Sequence, residues 1–310
     1  MKIIMNEKYQ MDQNTVVVLG NFDGIHRGHQ ALLDQARLEK EHEGQDVLVF
    51  TFQSHPSHDL PNQQAIRYLF SNQQRIEIFE KLGVDVVVSV PFLKVKNLPA
   101  RAFAEEILLR NLKAATIIVG HDFRFGAGAA GNVDLLQEIC QANDIKLLVV
   151  GKKVMGSERI SSTRIRQAIA QGDLQEAERL LGRPYQLTGH VIHGKKLGRT
   201  MGIPTANLEM RLPYVVPKFG VYYSQILVDD RSFYAVTSIG LNPTVDQRIH
   251  PSIEIHILDF DEMIYGHRIR LNLFQMIREE KKFENLEALI NQIHQDIAQV
   301  REMVYKIRDL

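Results

Sequence analysis

Short, almost wholly apolar runs alternate with amphipathic stretches from the start of the chain to Gly151. The apolar runs are rich in valine and isoleucine, as expected of strands covered on both faces, and they are Thr15–Gly20, Asp46–Phe52, Val84–Val90, Ala115–Gly120 and Ile145–Gly151. The stretches between them have helical spacing of apolar positions and are Gln30–His42, Ser71–Leu82, Ala100–Leu112 and Val133–Ala142. This alternation predicts an α/β domain built on a doubly wound parallel sheet.

The pattern changes after Gly151. Two helices are predicted next, at Ser161–Gln171, which opens on hydroxyl residues suited to capping, and at Asp173–Leu181. Gly182-Arg183-Pro184 then breaks the chain, and short strand-like runs follow at Tyr185–His193, Val221–Val228, Ser232–Ile239, Ser252–Leu258 and Arg268–Met276. Successive short strands of this kind predict a small antiparallel β-barrel. We therefore expect two domains, residues 1–183 and 184–310.

The chain ends in an amphipathic pattern. Eight apolar residues between Leu286 and Ile307 fall on one helical stripe, and Asn285 stands where an N-cap residue is expected. This pattern predicts one C-terminal helix that packs either on the barrel or on the first domain.

Composition and charge exclude several classes of protein. With 45% hydrophobic and 24% charged residues, the chain can bury a core. The 37 basic residues balance 37 acidic ones, with 22 of each up to Arg183 and 15 of each after it, so no nucleic-acid partner is expected. The single cysteine, Cys140, excludes an internal disulfide. No apolar run reaches the ~20 residues of a membrane helix, and the polar N-terminus is not typical of a signal peptide, so we expect a cytoplasmic protein without a membrane partner.

The first candidate site is the segment GNFDGIHRGH, residues 20–29, between the first predicted strand and helix. Ligands of doubly wound sheets bind at the carboxyl ends of strands, where this segment lies. Gly20 and Gly24 let the backbone approach phosphate closely, beside a helix N-terminus. His26 and His29 can face one phosphate, where an imidazolium N–H would stabilise charge developing in nucleotidyl transfer. The alternative is a surface turn that carries two histidines.

The H-x-G-H motif in this position is the signature of the nucleotidylyltransferase superfamily. The longer string resembles the N-terminal module of prokaryotic bifunctional riboflavin kinase/FAD synthetases, and so do Thr51-Phe52, His55-Pro56, Val119–Gly126 (VGHDFRFG) and Ile160–Arg166 (ISSTRIR). The resemblance implies that His26 and His29 are catalytic and that ATP is bound by Gly20, Phe22, Gly24, Ser162, Thr163 and Arg166. For the last three residues, the alternative is a helix cap followed by a solvated arginine.

Flavin binding in this module is less well defined. Asp122 is either a contact for the flavin or nucleotide or a residue of a structural turn. Family members often have a basic residue after FRFG, but the loop Gly126–Asn132 has none here.

The second candidate site is the segment Gly194–Asn207, which is dense in glycine and basic residues. It is not a Walker P-loop, because G-x-x-x-x-G-K-[ST] is absent. Its glycines permit close backbone approach, and Lys195, Lys196 and Arg199 could neutralise phosphate. Thr205 and Asn207 would point the same way on an extended segment, and their oxygens suit Mg²⁺.

This segment, with PTAN inside it, resembles the riboflavin kinase module. The resemblance continues through FGVY at Phe219, GLNPT at Gly240, Glu254, and Arg278 with Lys281, Lys282 and Phe283. It implies a metal site at Thr205 and Asn207, a catalytic base at Glu254, flavin binding at Arg278, and ATP binding at Gly194, Lys195 and Gly198. For Glu254, which alternates with apolar neighbours, a solvated strand face is the alternative.

The resemblance covers nearly the whole chain and predicts a bifunctional enzyme of flavin cofactor synthesis. Its partners are riboflavin, ATP, Mg²⁺ and FMN: the C-terminal domain converts riboflavin to FMN, and the N-terminal domain converts FMN to FAD. One alternative is a riboflavin kinase whose N-terminal domain only binds a nucleotide for regulation. Another is a tRNA-charging or nucleic-acid-binding protein, because H-x-G-H also occurs in class I aminoacyl-tRNA synthetases; the balanced charge disfavours it.

Overall fold

The computed structural model of the chain describes residues 1–5, 9–60, 66–194, 198, 202–241 and 251–308. Its contacts divide the chain into two compact units, Met1–Ser162 and Thr163–Leu310. The two helices that precede Pro184 group with the second unit, because the second of them packs on strands of the barrel. The domain boundary at residue 183 stays a prediction.

The described residues of the first unit form a six-stranded sheet in which every neighbouring pair is parallel. The strands are β1 (Lys2–Ile4), β2 (Thr15–Leu19), β3 (Asp46–Phe52), β4 (Val86–Val90), β5 (Ala114–Gly120) and β6 (Lys146–Val150). Their order across the sheet is β1-β4-β3-β2-β5-β6. The doubly wound parallel sheet predicted from the sequence is confirmed, with β1 as an additional edge strand.

Helices cover both faces of this sheet, and each face has its own hydrophobic core. The helices are α1 (Arg27–Glu43), α2 (Asn72–Lys81), α3 (Phe92–Val95), α4 (Ala100–Ala102) and α5 (Val133–Ala142). α4 continues as a π-helix at Phe103–Asn111, where periodicity predicts an ordinary helix. A short hairpin, β7 (Val154–Met155) and β8 (Glu158–Arg159), ends the unit.

The boundary at Thr163 lies one residue inside α6 (Ser162–Gln171), and the second unit continues with α7 (Leu174–Leu181) and a closed antiparallel barrel. The barrel strands are β9 (Tyr185–Ile192), β10 (Ala206–Glu209), β11 (Gly220–Val228), β12 (Arg231–Leu241), β13 (Pro251–Ile257) and β14 (Arg268–Glu279). Their order around the barrel is β10-β13-β12-β11-β14-β9. The predicted barrel is confirmed, and β10 is an additional strand that no apolar run in the sequence predicts.

The last helix, α8 (Leu286–Arg308), packs on the outer face of the barrel. Asn285 is its N-cap as predicted, since its side chain accepts from the Ala288 N–H at 2.8 Å. Val300 and Val304 are buried against β11 and β12, in a cluster with Val221. The predicted helix is present, and Leu286 at its start is 60% exposed.

Candidate active sites

Two histidine rings of the first unit are stacked at the start of α1. His26 is the N-cap residue, and its Nδ1 accepts a hydrogen bond from the backbone N–H of His29 at 3.3 Å. The imidazole rings are nearly parallel, with centroids 3.7 Å apart. Because Nδ1 of His26 is an acceptor, the proton of its neutral ring is on Nε2, which can donate to an anion. Gly28 leaves room for the stack, since a Cβ there would lie 3.0 Å from Cε1 of His26.

The loop that joins β2 to α1 carries backbone strain. Phe22 and Ile25 have φ angles of +48° and +39°, in the left-handed region that is costly for non-glycine residues. Gly24 adopts its φ of +82° readily. The side chains of Phe22 and Ile25 are fully buried. Core packing therefore offsets the strain and fixes the backbone that leads into the two histidines.

Phe22 supports the histidine pair from the core. Its ring centroid lies 5.3 Å from that of His29 and 5.3 Å from that of Phe79. A Cβ at Gly20 would lie 3.2 Å from the Phe22 ring, so Gly20 also lets the loop close over it. Since the Phe22 ring is buried, its predicted contact with ATP is restricted to the backbone. ATP binding by Gly20, Phe22 and Gly24 stays a prediction.

Arg75 of α2 holds this loop in place, and it is not among the site residues predicted from the sequence. Its guanidinium donates to the carbonyl of Asn21 at 3.1 Å, to Thr51 Oγ1 at 2.8 Å and to the carbonyl of Phe52 at 3.1 Å. The side chain thus joins the carboxyl ends of β2 and β3. Burial lowers the pKa of Arg75 to about 10, partly opposed by the nearby Asp23, so the group stays charged at neutral pH.

A signal for Arg75 exists in the sequence. Arg75 occupies the first position of the helical apolar series that continues through Ile78, Phe79 and Leu82. A charged residue on a core-facing stripe is rarely buried without a partner. That pattern would have predicted an arginine that binds something at the sheet edge.

The second segment predicted to bind ATP begins against the first. Ser162, the first residue of α6, donates its hydroxyl to the carbonyl of Asp23 at 2.8 Å. Thr163 is exposed on the first turn of α6, and Arg166 follows it three residues later, on the same side of that helix. Ile165 is buried on the other side. Phosphate binding by Ser162, Thr163 and Arg166 stays a prediction.

Asp122 is paired with an arginine. Arg159 of β8 donates to its carboxylate at 2.6 Å, and His121 Nδ1 lies 3.8 Å away. Burial raises the pKa of Asp122, but the Arg159 hydrogen bond and charge outweigh it, so the pKa lies below its ordinary value. Asp122 therefore stays ionised and ties the loop after β5 to the strand that leads into α6. Its predicted flavin contact is not tested by this pairing.

Close packing explains the small residues of the loop Gly126–Asn132. Phe125 and Gly131 exchange backbone hydrogen bonds of 3.2 and 2.9 Å, which close the loop. A Cβ at Gly126 would lie 2.5 Å from Cα of Ala100, and one at Gly131 would lie 2.8 Å from the Phe125 ring. Gly126 also has a φ of +74°. Larger residues at these two positions would push the loop away from α4.

In the second unit, strand pairing brings a predicted metal ligand next to the predicted catalytic base. Asn207 of β10 is the register partner of Glu254 of β13, and Glu254 is also the partner of Ser238 of β12. Register partners in antiparallel strands point to the same face. That face is the outside of the barrel, because Ile253 and Ile255 on either side of Glu254 are buried. Glu254 is thus adjacent to a predicted metal ligand.

Two of the three described glycines of the basic segment, Gly194 and Gly198, lie directly against the predicted metal ligands. A Cβ at Gly194 would lie 2.3 Å from Nδ2 of Asn207. A Cβ at Gly198 would lie 2.4 Å from the Ile203 carbonyl oxygen and 3.2 Å from Oγ1 of Thr205. The Asn207 amide and the Thr205 hydroxyl are therefore each packed closely against a glycine of this segment. The remaining predicted phosphate contacts fall outside the described residues; these are Lys195, Lys196 and Arg199.

His256 fixes the approach to β10. Its Nδ1 is 2.9 Å from the carbonyl oxygen of Pro204, the residue before Thr205. His256 lies on the same strand face as Glu254, two residues along β13. The interaction ties β13 to the chain that carries the predicted metal ligands, which supports a structural role for this histidine.

Arg278, the predicted flavin contact at the end of β14, is bound to Asp296 of α8. The two side chains make three hydrogen bonds, the shortest 2.7 Å. Asp296 has no counterpart in the motifs, and only its place on an otherwise apolar stripe could have singled it out. Flavin binding by Arg278 stays a prediction.

Among the described residues, no helix combines the length and apolar character needed to span a membrane.

A family model described as FAD synthetase matches residues 8–164, and one described as riboflavin kinase matches residues 181–304. The two matches coincide with the sheet unit and with the barrel and its last helix.

Curated relatives match both parts at once. The bifunctional riboflavin kinase/FMN adenylyltransferases of Listeria monocytogenes and Escherichia coli K12 are 38% and 36% identical, over 96% of this chain and 95% and 96% of their own lengths. A solved structure described as a macrolide-efflux protein from Streptococcus pneumoniae has a TM-score of 0.90 and 30% identity, over 97% of this chain and 99% of that one. The chain therefore belongs to the family of bifunctional riboflavin kinase/FMN adenylyltransferases.

Proposed function

We propose that this chain makes both flavin cofactors in two successive ATP-dependent reactions. The barrel transfers the γ-phosphoryl group of ATP to the 5′-hydroxyl of riboflavin and yields FMN and ADP. The sheet unit joins FMN to the AMP part of a second ATP and yields FAD and pyrophosphate. One observation carries the proposal: each unit holds a pair of candidate groups, a stacked histidine pair in one and the register partners Asn207 and Glu254 in the other. Because both reactions consume ATP, we expect them to take place in the cytoplasm.

In the kinase reaction, Glu254 is the proposed base. The ribityl 5′-oxygen attacks the γ-phosphorus, its proton passes to the Glu254 carboxylate, and ADP leaves. Gly194 and Gly198 let the backbone come close to the phosphates. The position of Glu254 beside Asn207 would bring the accepting hydroxyl and the phosphates to the same face of the barrel.

The residues next to Glu254 fit a magnesium ion. Thr205 and Asn207 offer hard oxygen donors, and Mg²⁺ prefers few protein oxygens together with phosphate oxygens and water. When bound there, the ion would neutralise charge on the ATP phosphates. We propose Thr205 Oγ1 and the Asn207 amide oxygen as its protein ligands.

In the adenylyl transfer, no covalent intermediate with the protein is required. A phosphate oxygen of FMN attacks the α-phosphorus of ATP, and pyrophosphate leaves. Nε2–H of His26 would donate to the α-phosphate as negative charge develops there. His29, stacked on His26 and supported by Phe22, would share this role.

Product analysis tests the proposal. Purified protein is incubated with riboflavin, ATP and Mg²⁺, and flavins are separated by chromatography over time. We expect FMN to appear first and FAD to follow. FMN without FAD, also after addition of FMN itself, would favour a riboflavin kinase with a nucleotide-binding regulatory unit. The absence of both products would overturn the proposal.

A further inference from the structure

A row of register partners runs across the outer face of the barrel. Glu254 pairs with Ser238, Ser238 with Val221, and Val221 with Arg278. Val221 lies in the apolar cluster beneath α8, so the row passes from the proposed kinase site to the edge of that helix. Three strand spacings of about 4.8 Å separate Glu254 from Arg278, or roughly 14 Å in total. Because α8 covers Val221, which is 5% exposed, a flavin bound at Glu254 would reach Arg278 past the segment that follows β14 and not across the row itself.

The guanidinium at the far end of this row is held by a buried carboxylate. Asp296 is 2% exposed, and Arg278 donates to it from Nε at 2.9 and 3.0 Å and from Nη2 at 2.7 Å. Gln292 donates to the same carboxylate at 2.9 Å. A bidentate pair of this kind fixes the plane of the guanidinium as well as its position. A buried carboxylate costs free energy unless it is paired, so the pair is strongly coupled.

The same pair arranges the segment that follows β14. The guanidinium carbon of Arg278 lies 5.8 Å from the centroid of the Phe283 ring, and Lys281 Nζ lies 5.2 Å from it. Lys281 also donates to Gln292, the residue that completes the Asp296 pairing. The Phe283 ring thus lies near two cations, of which Arg278 is paired with Asp296 and Lys281 is bound to Gln292.

This segment also reaches the strands of the proposed kinase site. A Cβ at Gly240 would lie 2.7 Å from the carboxylate of Glu280. Gly240 is the register partner of Ser252, which stands two residues before Glu254 on the same strand face. Residues 280–283 therefore lie beside the row, where the ring of a flavin bound for attack near Glu254 would extend.

We propose that Asp296 is a positioning residue for riboflavin, which acts through Arg278 and the segment 280–283. This inference rests on the proposed kinase function and names part of the flavin end of that site. Val300 and Val304 also pack α8 on the barrel, so the Asp296–Arg278 pair is not the only contact of that helix there. Loss of the carboxylate charge would let Arg278 turn toward solvent and release Phe283.

Asp296→Asn tests this role, and Asp259→Asn is its matched control. Among the described residues, Asp259 forms the other ion pair between the barrel region and α8, with Arg301 of that helix at 2.6 Å. The side chains of Asp259 and Arg301 are both mostly exposed. KM for riboflavin, KM for ATP, kcat and the melting temperature are measured for each variant. Direct binding of riboflavin is followed by its fluorescence.

We expect Asp296→Asn to raise the riboflavin KM about 10- to 100-fold, as loss of a hydrogen bond to a charged group does, and to weaken riboflavin binding in parallel. The ATP KM should change less than threefold, and Asp259→Asn should change neither constant. Arg278→Gln should reproduce the effect, and the double variant should be no worse than Arg278→Gln alone, since Asp296 acts through that residue.

Several results would overturn the inference. An unchanged riboflavin KM in Asp296→Asn, an equal rise in the ATP KM, or additive effects of the two substitutions would each show that the pair has only a structural role. If Asp296→Asn fails to fold, a folded Arg278→Gln variant with unchanged riboflavin binding would refute the role. Absence of riboflavin phosphorylation by the unaltered chain would instead overturn the proposed function, and this inference with it.

Discussion

Gly194 is the position where one added methyl group tests the proposed metal site most sharply. In Gly194→Ala the new Cβ would lie 2.3 Å from Nδ2 of Asn207, whereas non-bonded carbon contacts are about 3.5–4.0 Å. The Asn207 amide must therefore move by roughly 1 Å or more, because it is the group that can turn away. Magnesium requires oxygen ligands at about 2.0–2.1 Å in near-ideal octahedral geometry, so a ligand displaced this far no longer coordinates.

The expected loss follows from that displacement. A misplacement of about 1 Å in a catalytic site can reduce the rate about 10²-fold. We expect Gly194→Ala to lower riboflavin phosphorylation by about this factor at low Mg²⁺ and to recover partly as Mg²⁺ is raised. Stability should change little, because only a side-chain end has to move, and adenylylation of added FMN should be normal.

The assay is the initial rate of riboflavin phosphorylation across a Mg²⁺ titration, with FMN adenylylation by the same preparation as the internal control. Asn207→Ala serves as the matched variant, and adding Gly194→Ala to it should cause no further loss. Gly189→Ala is the contrasting case: its Cβ would lie 2.1 Å from the backbone oxygen of Glu209, so it should destabilise the barrel itself. A Gly194→Ala enzyme with normal rate and normal Mg²⁺ dependence would refute the reasoning.

Three further substitutions separate the roles of the remaining site residues. His29→Ala should stop FAD formation from added FMN while FMN still forms from riboflavin, and loss of both activities in a folded variant would disprove separate sites. Glu254→Gln should lower the kinase kcat at least ~10²-fold with a modest change in riboflavin affinity; a nearly normal rate would show that Glu254 does not accept the proton. Arg75→Gln should raise the ATP KM of adenylylation about 10-fold, because the loop that joins β2 to α1 is released. An unchanged ATP KM would show that Arg75 has only a structural role.

The parts of the fold that were predictable from sequence are those in which one strong pattern decides the outcome. Val16–Val18 and Val47–Val49 are buried on both faces of the sheet, so a continuous apolar run was sufficient to identify their strands. The barrel strands alternate, and the burial of Ile253 and Ile255 around Glu254 follows that alternation. Motif spacing then predicted which loops carry the chemistry.

The features that were missed depend on contacts distant in sequence. β10 is four residues long and forms because β9 and β13 pair with it. No local sequence pattern predicts this pairing. The π-helix at Phe103–Asn111 has the apolar spacing of an ordinary helix. Asp296 stands on the apolar stripe of an amphipathic helix, but its partner Arg278 lies 18 residues away and no local pattern identifies it.

The most direct test of two ATP-dependent sites in one chain follows the phosphorus of ATP into the products. The unaltered protein is given riboflavin and Mg²⁺ with ATP labelled at either the γ- or the α-phosphorus. The account predicts that FMN carries only γ-derived label, and that FAD carries γ-derived label in its FMN part and α-derived label in its AMP part. Substitution of His29 by alanine should remove the α-derived label and leave the γ-derived label in FMN. Label from the α-phosphorus in FMN, or none from the α-phosphorus in any flavin product of the unaltered protein, would contradict the account.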